Sequence, residues 1–149
     1  MELLKLGALD ADDLAVISVH MQDALLRVGD IRHFKRLKKL VLVVNRFDWE
    51  SAEAGTGENA KPKRRPAGLQ FARVKGIKAH KIRQGAPNAV LSLLAIAFMP
   101  GADPPEGTIE LIFSGGGAIR VDVECIEVTL EDLGPAWESA RVPAHDQEP

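Results

Sequence analysis

The sequence predicts an α+β protein in which a strongly bent antiparallel sheet or barrel of six to eight strands packs on one N-terminal helix. Two features lead to this prediction. Residues 108–134 contain runs of alternating apolar and polar residues on both sides of three glycines, which is typical of a β-hairpin. Residues 11–26 instead carry apolar residues at helical spacing. A pleckstrin-homology-like barrel is the alternative architecture, although the usual helix of that fold lies at the carboxyl end.

The length of 149 residues predicts a single domain over residues 1–137, and the polar stretch 138–149 is predicted to be a disordered tail. Cys125 is the only cysteine, so no intramolecular disulfide can form, which favours a reducing compartment. The chain has no apolar run of the roughly 18 residues that a membrane span needs. We therefore expect a cytoplasmic protein with no membrane partner.

One helix and three strands are predicted in the first fifty residues. Residues 3–8 read as a short strand. Asp10 is a suitable N-cap for a helix over residues 11–26, because its carboxylate can accept a hydrogen bond from the first turn. A hairpin is predicted to follow, with one strand at 31–34 and the other at 40–49, joined by the basic sequence KRLKK.

The middle of the chain combines a loop with further strands. Residues 50–66 are rich in Gly, Ala, Glu, Pro and Lys without apolar periodicity, and they are predicted to form a flexible loop. Residues 68–83 predict one long strand or two short ones, with a bulge or bend at Gly76. Residues 89–98 are the most hydrophobic segment and are predicted to be a central strand.

The register of the last hairpin follows from matching its apolar faces. Pairing Leu111 with Val121 and Ile109 with Val123 keeps both apolar sets inside and leaves glycines 115–117 as a three-residue loop. Three glycines there are more typical of a turn than of a phosphate-binding loop, because no helix follows them.

This register also places Glu110 opposite Asp122, with Glu124 two residues further on. We interpret the three carboxylates as a solvated outer face rather than as a cation site. A change of alternation near Cys125 predicts a β-bulge or a bend at a barrel corner. Residues 130–137 are predicted to make a short helical turn.

Charge is distributed unevenly along the chain. Residues 27–83 carry sixteen Lys and Arg against five acids, whereas the segments on both sides are acidic and the net charge is −2. The nine basic residues between positions 61 and 83 are predicted to form a basic face for an acidic protein or an anionic ligand: Lys61, Lys63, Arg64, Arg65, Arg73, Lys75, Lys78, Lys81 and Arg83. Nucleic acid is the less favoured partner, because few aromatic residues are present for base stacking. Homodimerisation through sheet edges stays open.

No catalytic motif is present. None of the four histidines has the spacing of a metal site, and the phosphate-loop, dinucleotide-binding and nucleophile-elbow patterns are all missing. The sequence therefore assigns no catalytic, cofactor-binding or metal-binding residue, and it favours a protein that is not an enzyme. Asn45, Arg46 and Trp49 follow an apolar strand and are predicted to lie at the rim of the barrel.

Three segments resemble DUF2948, a bacterial family of proteins of unknown function. They are LKLGALDADDLAVISVHMQDALLRVGDI, LVLVVNRFDWE and IFSGGGAIRVDVECIEVTLEDLGPAW. Their order and spacing agree with the family as well as their residues do. The resemblance implies a bacterial, cytoplasmic protein and carries no assigned activity, cofactor or site residue.

The function predicted from these observations is a non-enzymatic binding or adaptor module that acts through the basic face and the barrel rim. One alternative is a small enzyme with its site in a barrel mouth or a dimer groove, which a deep cavity with His33 or His80 beside a carboxylate would favour. The other alternative is a weak nucleic-acid binder.

Overall fold

The computed structural model describes residues 3–47 and 63–134 and the backbone of residues 137–138. One helix, α1 (Ala11–Met21), and eleven strands lie in this part of the chain. The strands are β1 (Lys5–Ala8), β2 (Ala24–Arg27), β3 (Ile31–Phe34), β4 (Lys39–Phe47), β5 (Lys63–Phe71), β6 (Val74–His80), β7 (Val90–Pro100), β8 (Gly107–Phe113), β9 (Ala118–Val123), β10 (Val128–Asp132) and β11 (Trp137–Glu138).

All described strand pairs are antiparallel and belong to one sheet with the order β1-β10-β5-β4-β2-β7-β8-β9-β6. β3 is added to β4, and β11 is added to β5. Among the described residues the sheet does not close, because β1 and β6 are its two ends. The α+β prediction with one N-terminal helix on a bent sheet is confirmed. α1 contacts β1, β4 and β7.

The helix is shorter than predicted. Asp10 caps it as expected, with its carboxylate accepting a hydrogen bond of 2.8 Å from the backbone N–H of Asp13. It ends at Met21 rather than at residue 26, because Asp23 adopts a left-handed conformation and donates its N–H to the carbonyl of Leu93 on β7. The apolar residues that follow form β2 instead.

The strand count exceeds six to eight for three reasons. β2 takes the end of the predicted helix, and β11 adds two residues beside β5. The predicted strand around Cys125 is two strands, because the chain bends at residues 124–125 and moves from β8 to β5 as partner. Residues 130–132 belong to β10, so the predicted helical turn at 130–137 is wrong where the structure describes it. β5 begins at Lys63, so residues 63–66 of the predicted loop belong to a strand. Residues 50–62 of that loop lie outside the described residues.

The register of the β8–β9 hairpin differs by two residues from the prediction. Leu111 pairs with Ile119 and Ile109 with Val121, and Glu110 therefore faces Arg120 rather than Asp122. The turn occupies Ser114–Gly116, since Phe113 donates its N–H to the carbonyl of Gly117. Gly115 and Gly116 both have positive φ angles there, 82° and 90°, which glycine tolerates without steric cost.

One hydrophobic core lies inside the bent sheet and beneath α1. Its largest apolar members include Phe71, Phe113, Leu14 and Met21, each at most 1% exposed. β7 and β6 each contain the irregularity that fits them to this core. Register shifts occur between Leu93 and Ala95 and between Val74 and Gly76, which confirms the bulge predicted at Gly76.

Candidate binding surface

The fold divides the nine residues of the predicted basic face. Arg64 and Arg65 belong to β5, which lies between β4 and β10 in the sheet, whereas the residues from Arg73 onwards belong to β6 and its flanking turns. Lys61 and the side chain of Lys63 lie outside the described residues. The described cations of the predicted face therefore form two separate groups, and only one of these groups is on an open strand.

Arg64 is engaged with its own sheet. One of its terminal nitrogens, Nη1, donates to the carbonyls of Asp23 (3.0 Å) and Asn45 (3.2 Å). The guanidinium lies 5.9 Å from the centroid of the Phe47 ring, within reach of a cation–π contact. Burial lowers the pKa of Arg64, an effect that nearby Asp23 opposes. These contacts fix the edges of β2, β4 and β5 together and leave Arg64 little freedom to bind a partner.

Arg65 and Arg46 lie inside the molecule. They face each other across β4 and β5, and their exposed fractions are 8% and 0%. Arg46 forms a two-bond ion pair with Asp132 on β10, with Nε donating to Oδ1 at 2.8 Å and Nη2 to Oδ2 at 3.0 Å. Asp132 also accepts a 2.8 Å hydrogen bond from the backbone N–H of Leu4. The prediction that Arg46 lies at an exposed rim is therefore wrong, because a carboxylate 86 residues away draws it into the interior.

The rest of the predicted rim is only partly visible. Asn45 is half-buried, and its carbonyl accepts the hydrogen bond from Arg64. Trp49 lies outside the described residues. Neither residue contributes a described exposed surface that could be assigned to a ligand.

Arg73 and Lys75 each have an acidic partner on the surface. Arg73 Nε lies 3.4 Å from a carboxylate oxygen of Glu127, and Lys75 Nζ lies 3.1 Å from one of Glu106. The hydrogen bond to Glu106 raises the pKa of Lys75, because it stabilises the protonated amine. Lys75 is also the extra residue of the bulge in β6. Part of the local positive charge is thus compensated within the fold.

Three exposed cations remain, and we call them the β6 cationic edge: Lys78, Lys81 and Arg83. Among the described residues, none of the three forms an ion pair. Lys78 lies opposite another cation, Arg120, in the β6–β9 register. Like charges in directly opposed positions are unfavourable, so this part of the sheet carries uncompensated positive charge.

The glycine turn lies beside the β6 cationic edge. Lys81 has a left-handed backbone conformation at the end of β6, and a Cβ atom at Gly116 would lie 3.7 Å from Lys81 Nζ. A Cβ at Gly117 would lie 3.1 Å from the Cδ1 of Ile82. The glycines thus let the segment after β6 pass close to the β8–β9 turn, which holds the ends of these strands together.

Each carboxylate of the predicted acidic face has a hydrogen-bond or ion-pair partner on a neighbouring residue. Glu110 pairs with Arg120 at 3.2 Å, Asp122 accepts a 2.8 Å hydrogen bond from Thr108, and Glu124 pairs with Lys38 at 2.7 Å. The described residues contain no group of three or more acidic, His or Cys side chains that could hold a metal ion.

The enzyme alternative would be favoured by His33 or His80 lying beside a carboxylate in a deep cavity, and the described residues do not show this arrangement. His33 and His80 are both exposed, and among the described residues neither imidazole forms a hydrogen bond or an ion pair. The interior of the bent sheet around the core is packed with apolar side chains. In the part of the chain that the structure describes, α1 is the only α-helix, and with 11 residues it is too short to cross a bilayer.

Comparison with known proteins yields one finding. The family model described as "Protein of unknown function (DUF2948)" matches residues 4–145, which is nearly the whole chain. No curated protein and no solved structure matches the chain.

Proposed function

Since this chain belongs to the DUF2948 family, whose description assigns no activity, we propose its function from the geometry: it is a binding module that takes up an acidic, extended peptide along β6. β6 has β9 as its only strand partner among the described residues. In an antiparallel pair every second residue directs its N–H and C=O away from the partner, so such a strand can accept another. Strand addition is an established mode of peptide recognition.

The pairing of Lys78 with Arg120 is the observation that favours an acidic peptide. Arg120 already has Glu110 on its other side, so Lys78 faces a cation on one side and an open position on the other. An acidic side chain in the added strand would lie beside Lys78 and remove the repulsion. The regular register from Gly76 to His80 offers about five residues for such a strand.

The same charge disfavours self-association through this edge. Two copies that joined their β6 strands would bring two sets of three uncompensated cations together. Lysines on an edge strand are a known defence against edge-to-edge aggregation. An acidic strand is not repelled by these cations. The same edge can therefore disfavour pairing with a second copy and favour an acidic partner.

The test uses two fluorescein-labelled peptides of alternating sequence, one of Glu and Val and one of Lys and Val. We expect fluorescence anisotropy to detect binding of the Glu–Val peptide only. Lys78→Glu combined with Lys81→Glu is expected to weaken this binding roughly tenfold or more, because two attractive charges become repulsive. Lys5→Glu on β1, at the opposite end of the sheet, is the control for the reversal of one exposed charge away from β6, and it is expected to bind as the wild type does.

A third peptide separates strand addition from charge attraction alone. It carries proline at every second Val position and keeps the same charge, so it loses part of the backbone N–H donors and its strand is interrupted at regular intervals. We expect it to bind far more weakly than the Glu–Val peptide. Equal binding of both peptides, or unchanged binding by the doubly reversed variant, would contradict the proposal.

A further inference from the structure

The tip of the β3–β4 hairpin is a second cationic surface, separate from β6. Residues 32–39 read RHFKRLKK, with five Lys and Arg and no acid. A 3-10 turn over Lys35–Leu37 joins the two strands, and none of its residues is buried. We call residues 32–39 the hairpin tip.

The hairpin tip differs from the other charged surfaces in its exposed apolar side chains. Phe34 is 42% exposed and Leu37 is 67% exposed. Single exposed apolar residues are common on soluble proteins. Here two large apolar residues lie within four positions of each other, at a turn and among five cations. Moving their side chains from water into an apolar phase would be favourable.

The cations of the tip are mostly uncompensated. Lys38 pairs with Glu124 at 2.7 Å, and this contact lowers the pKa of that carboxyl group. Within the described residues, Arg32, Lys35 and Arg36 form no ion pair. The acid next to the tip is therefore already engaged, and the turn itself presents positive charge to the solvent.

We propose that the hairpin tip binds the surface of an anionic lipid bilayer, with Phe34 and Leu37 entering the boundary between headgroups and acyl chains. Cations that flank exposed apolar residues combine the two attractions that such a surface offers. RNA would use the cations and could stack a base on Phe34, but it gives no role to an aliphatic side chain such as Leu37. This inference does not depend on the β6 cationic edge.

Sedimentation with lipid vesicles tests the electrostatic half of the proposal. The protein is expected to bind vesicles of phosphatidylcholine mixed with phosphatidylglycerol and not vesicles of phosphatidylcholine alone. Lys35→Gln combined with Arg36→Gln is expected to lower the partition coefficient roughly thirtyfold, at about fivefold for each cation near the surface. Lys78→Gln combined with Lys81→Gln removes equal charge from β6 and is expected to leave vesicle binding nearly unchanged.

The apolar half needs its own variants. Phe34→Ser combined with Leu37→Ser keeps every cation and is expected to lower the partition coefficient on vesicles that contain phosphatidylglycerol, because the apolar burial at the tip is lost while the charge attraction stays. Val16→Ser combined with Val19→Ser is the matched control, since these helix residues are 50% and 65% exposed. We expect this control to bind as the wild type does.

A reporter at the tip shows insertion directly. The emission of a Phe34→Trp variant, after subtraction of the wild-type signal, is expected to shift to the blue on addition of phosphatidylglycerol vesicles. An unshifted emission, or equal vesicle binding by the wild type and the Phe34→Ser, Leu37→Ser variant, would overturn the proposal. So would binding of single-stranded RNA that competes with vesicles and does not require Leu37, which would identify the tip as a nucleic-acid surface.

Discussion

Replacing Asp132 with Asn should destabilise the fold strongly while changing only one charge. The Arg46–Asp132 ion pair has both side chains at 0% exposure and two hydrogen bonds of 2.8 and 3.0 Å. Removing one partner of a buried ion pair typically costs about 3–5 kcal/mol, because the buried charge that remains loses the group that balances it. Asn can still accept one of the bonds, so we expect about 3 kcal/mol for Asp132→Asn.

Equilibrium unfolding in urea measures this cost. With an m value of about 2 kcal/mol per molar, the midpoint should fall by about 1.5 M. Asp30→Asn is the control, because Asp30 pairs with Arg27 at 3.2 Å with side chains about one third exposed, and it should cost less than about 1 kcal/mol. Joint replacement, Arg46→Met with Asp132→Leu, should recover most of the loss. A loss below about 1 kcal/mol for Asp132→Asn would refute the reasoning, because it would mean that the pair is solvated or replaceable.

Two further predictions concern packing and pH. Gly107→Ala should destabilise the protein by about 1–3 kcal/mol in the same urea assay, because a Cβ there would overlap the ring of Phe98, whereas Gly85→Ala has no atom within 4 Å to meet and should be nearly neutral. In an NMR titration, Glu124 should release its proton below the ordinary pKa of glutamate, and Lys38→Met should move the pKa back up. Because the pKa of Glu124 is lower in the folded state, its contact with Lys38 stabilises the protein above the ordinary glutamate pKa. This stabilisation is lost as the pH falls through the folded-state pKa. An unchanged pKa of Glu124 in Lys38→Met would contradict the assignment.

Local patterns predicted most of the strands, but they missed β2 and the end of the helix. Ala24 and Leu25 fit the helical stripe of Leu14, Ile17 and Met21, and they fit a strand equally well, so apolar periodicity alone could not decide between the two. A tertiary contact favours the strand, namely the hydrogen bond from the backbone N–H of Asp23 to the carbonyl of Leu93. Asp23 tolerates the left-handed conformation that this contact needs, and the chain leaves the helix there.

The error in the β8–β9 register has a different cause. Shifting an antiparallel pair by two residues keeps every apolar side chain on the same face, so matching faces cannot separate the predicted register from the observed one. The turn sets the register, because Ser114 and two glycines close the hairpin one residue earlier than a turn made of the three glycines would. That shift replaces the unfavourable pairing of Glu110 with Asp122 by an ion pair with Arg120.

The candidate site shows the same limit. Charge composition located the basic segment, but it could not separate cations that the fold uses from cations that it leaves exposed. Arg65 is buried in β5, and Arg73 and Lys75 are paired with acids, whereas Lys78 stands on the open strand β6 and Lys81 directly follows that strand. Such a division depends on which strand ends at the edge of the sheet, and that is a property of the topology.

Salt distinguishes the two proposed surfaces more clearly than any single substitution does. Binding along β6 would combine screened charge contacts with backbone hydrogen bonds, and these hydrogen bonds depend on the conformation of the peptide. Binding at the hairpin tip would combine screened charge contacts with burial of Phe34 and Leu37, and kosmotropic salts strengthen that burial. At low concentration, sulfate should therefore weaken both interactions, because both include charge contacts that salt screens. At high sulfate concentration only vesicle binding should return, and its return should require both apolar side chains of the tip.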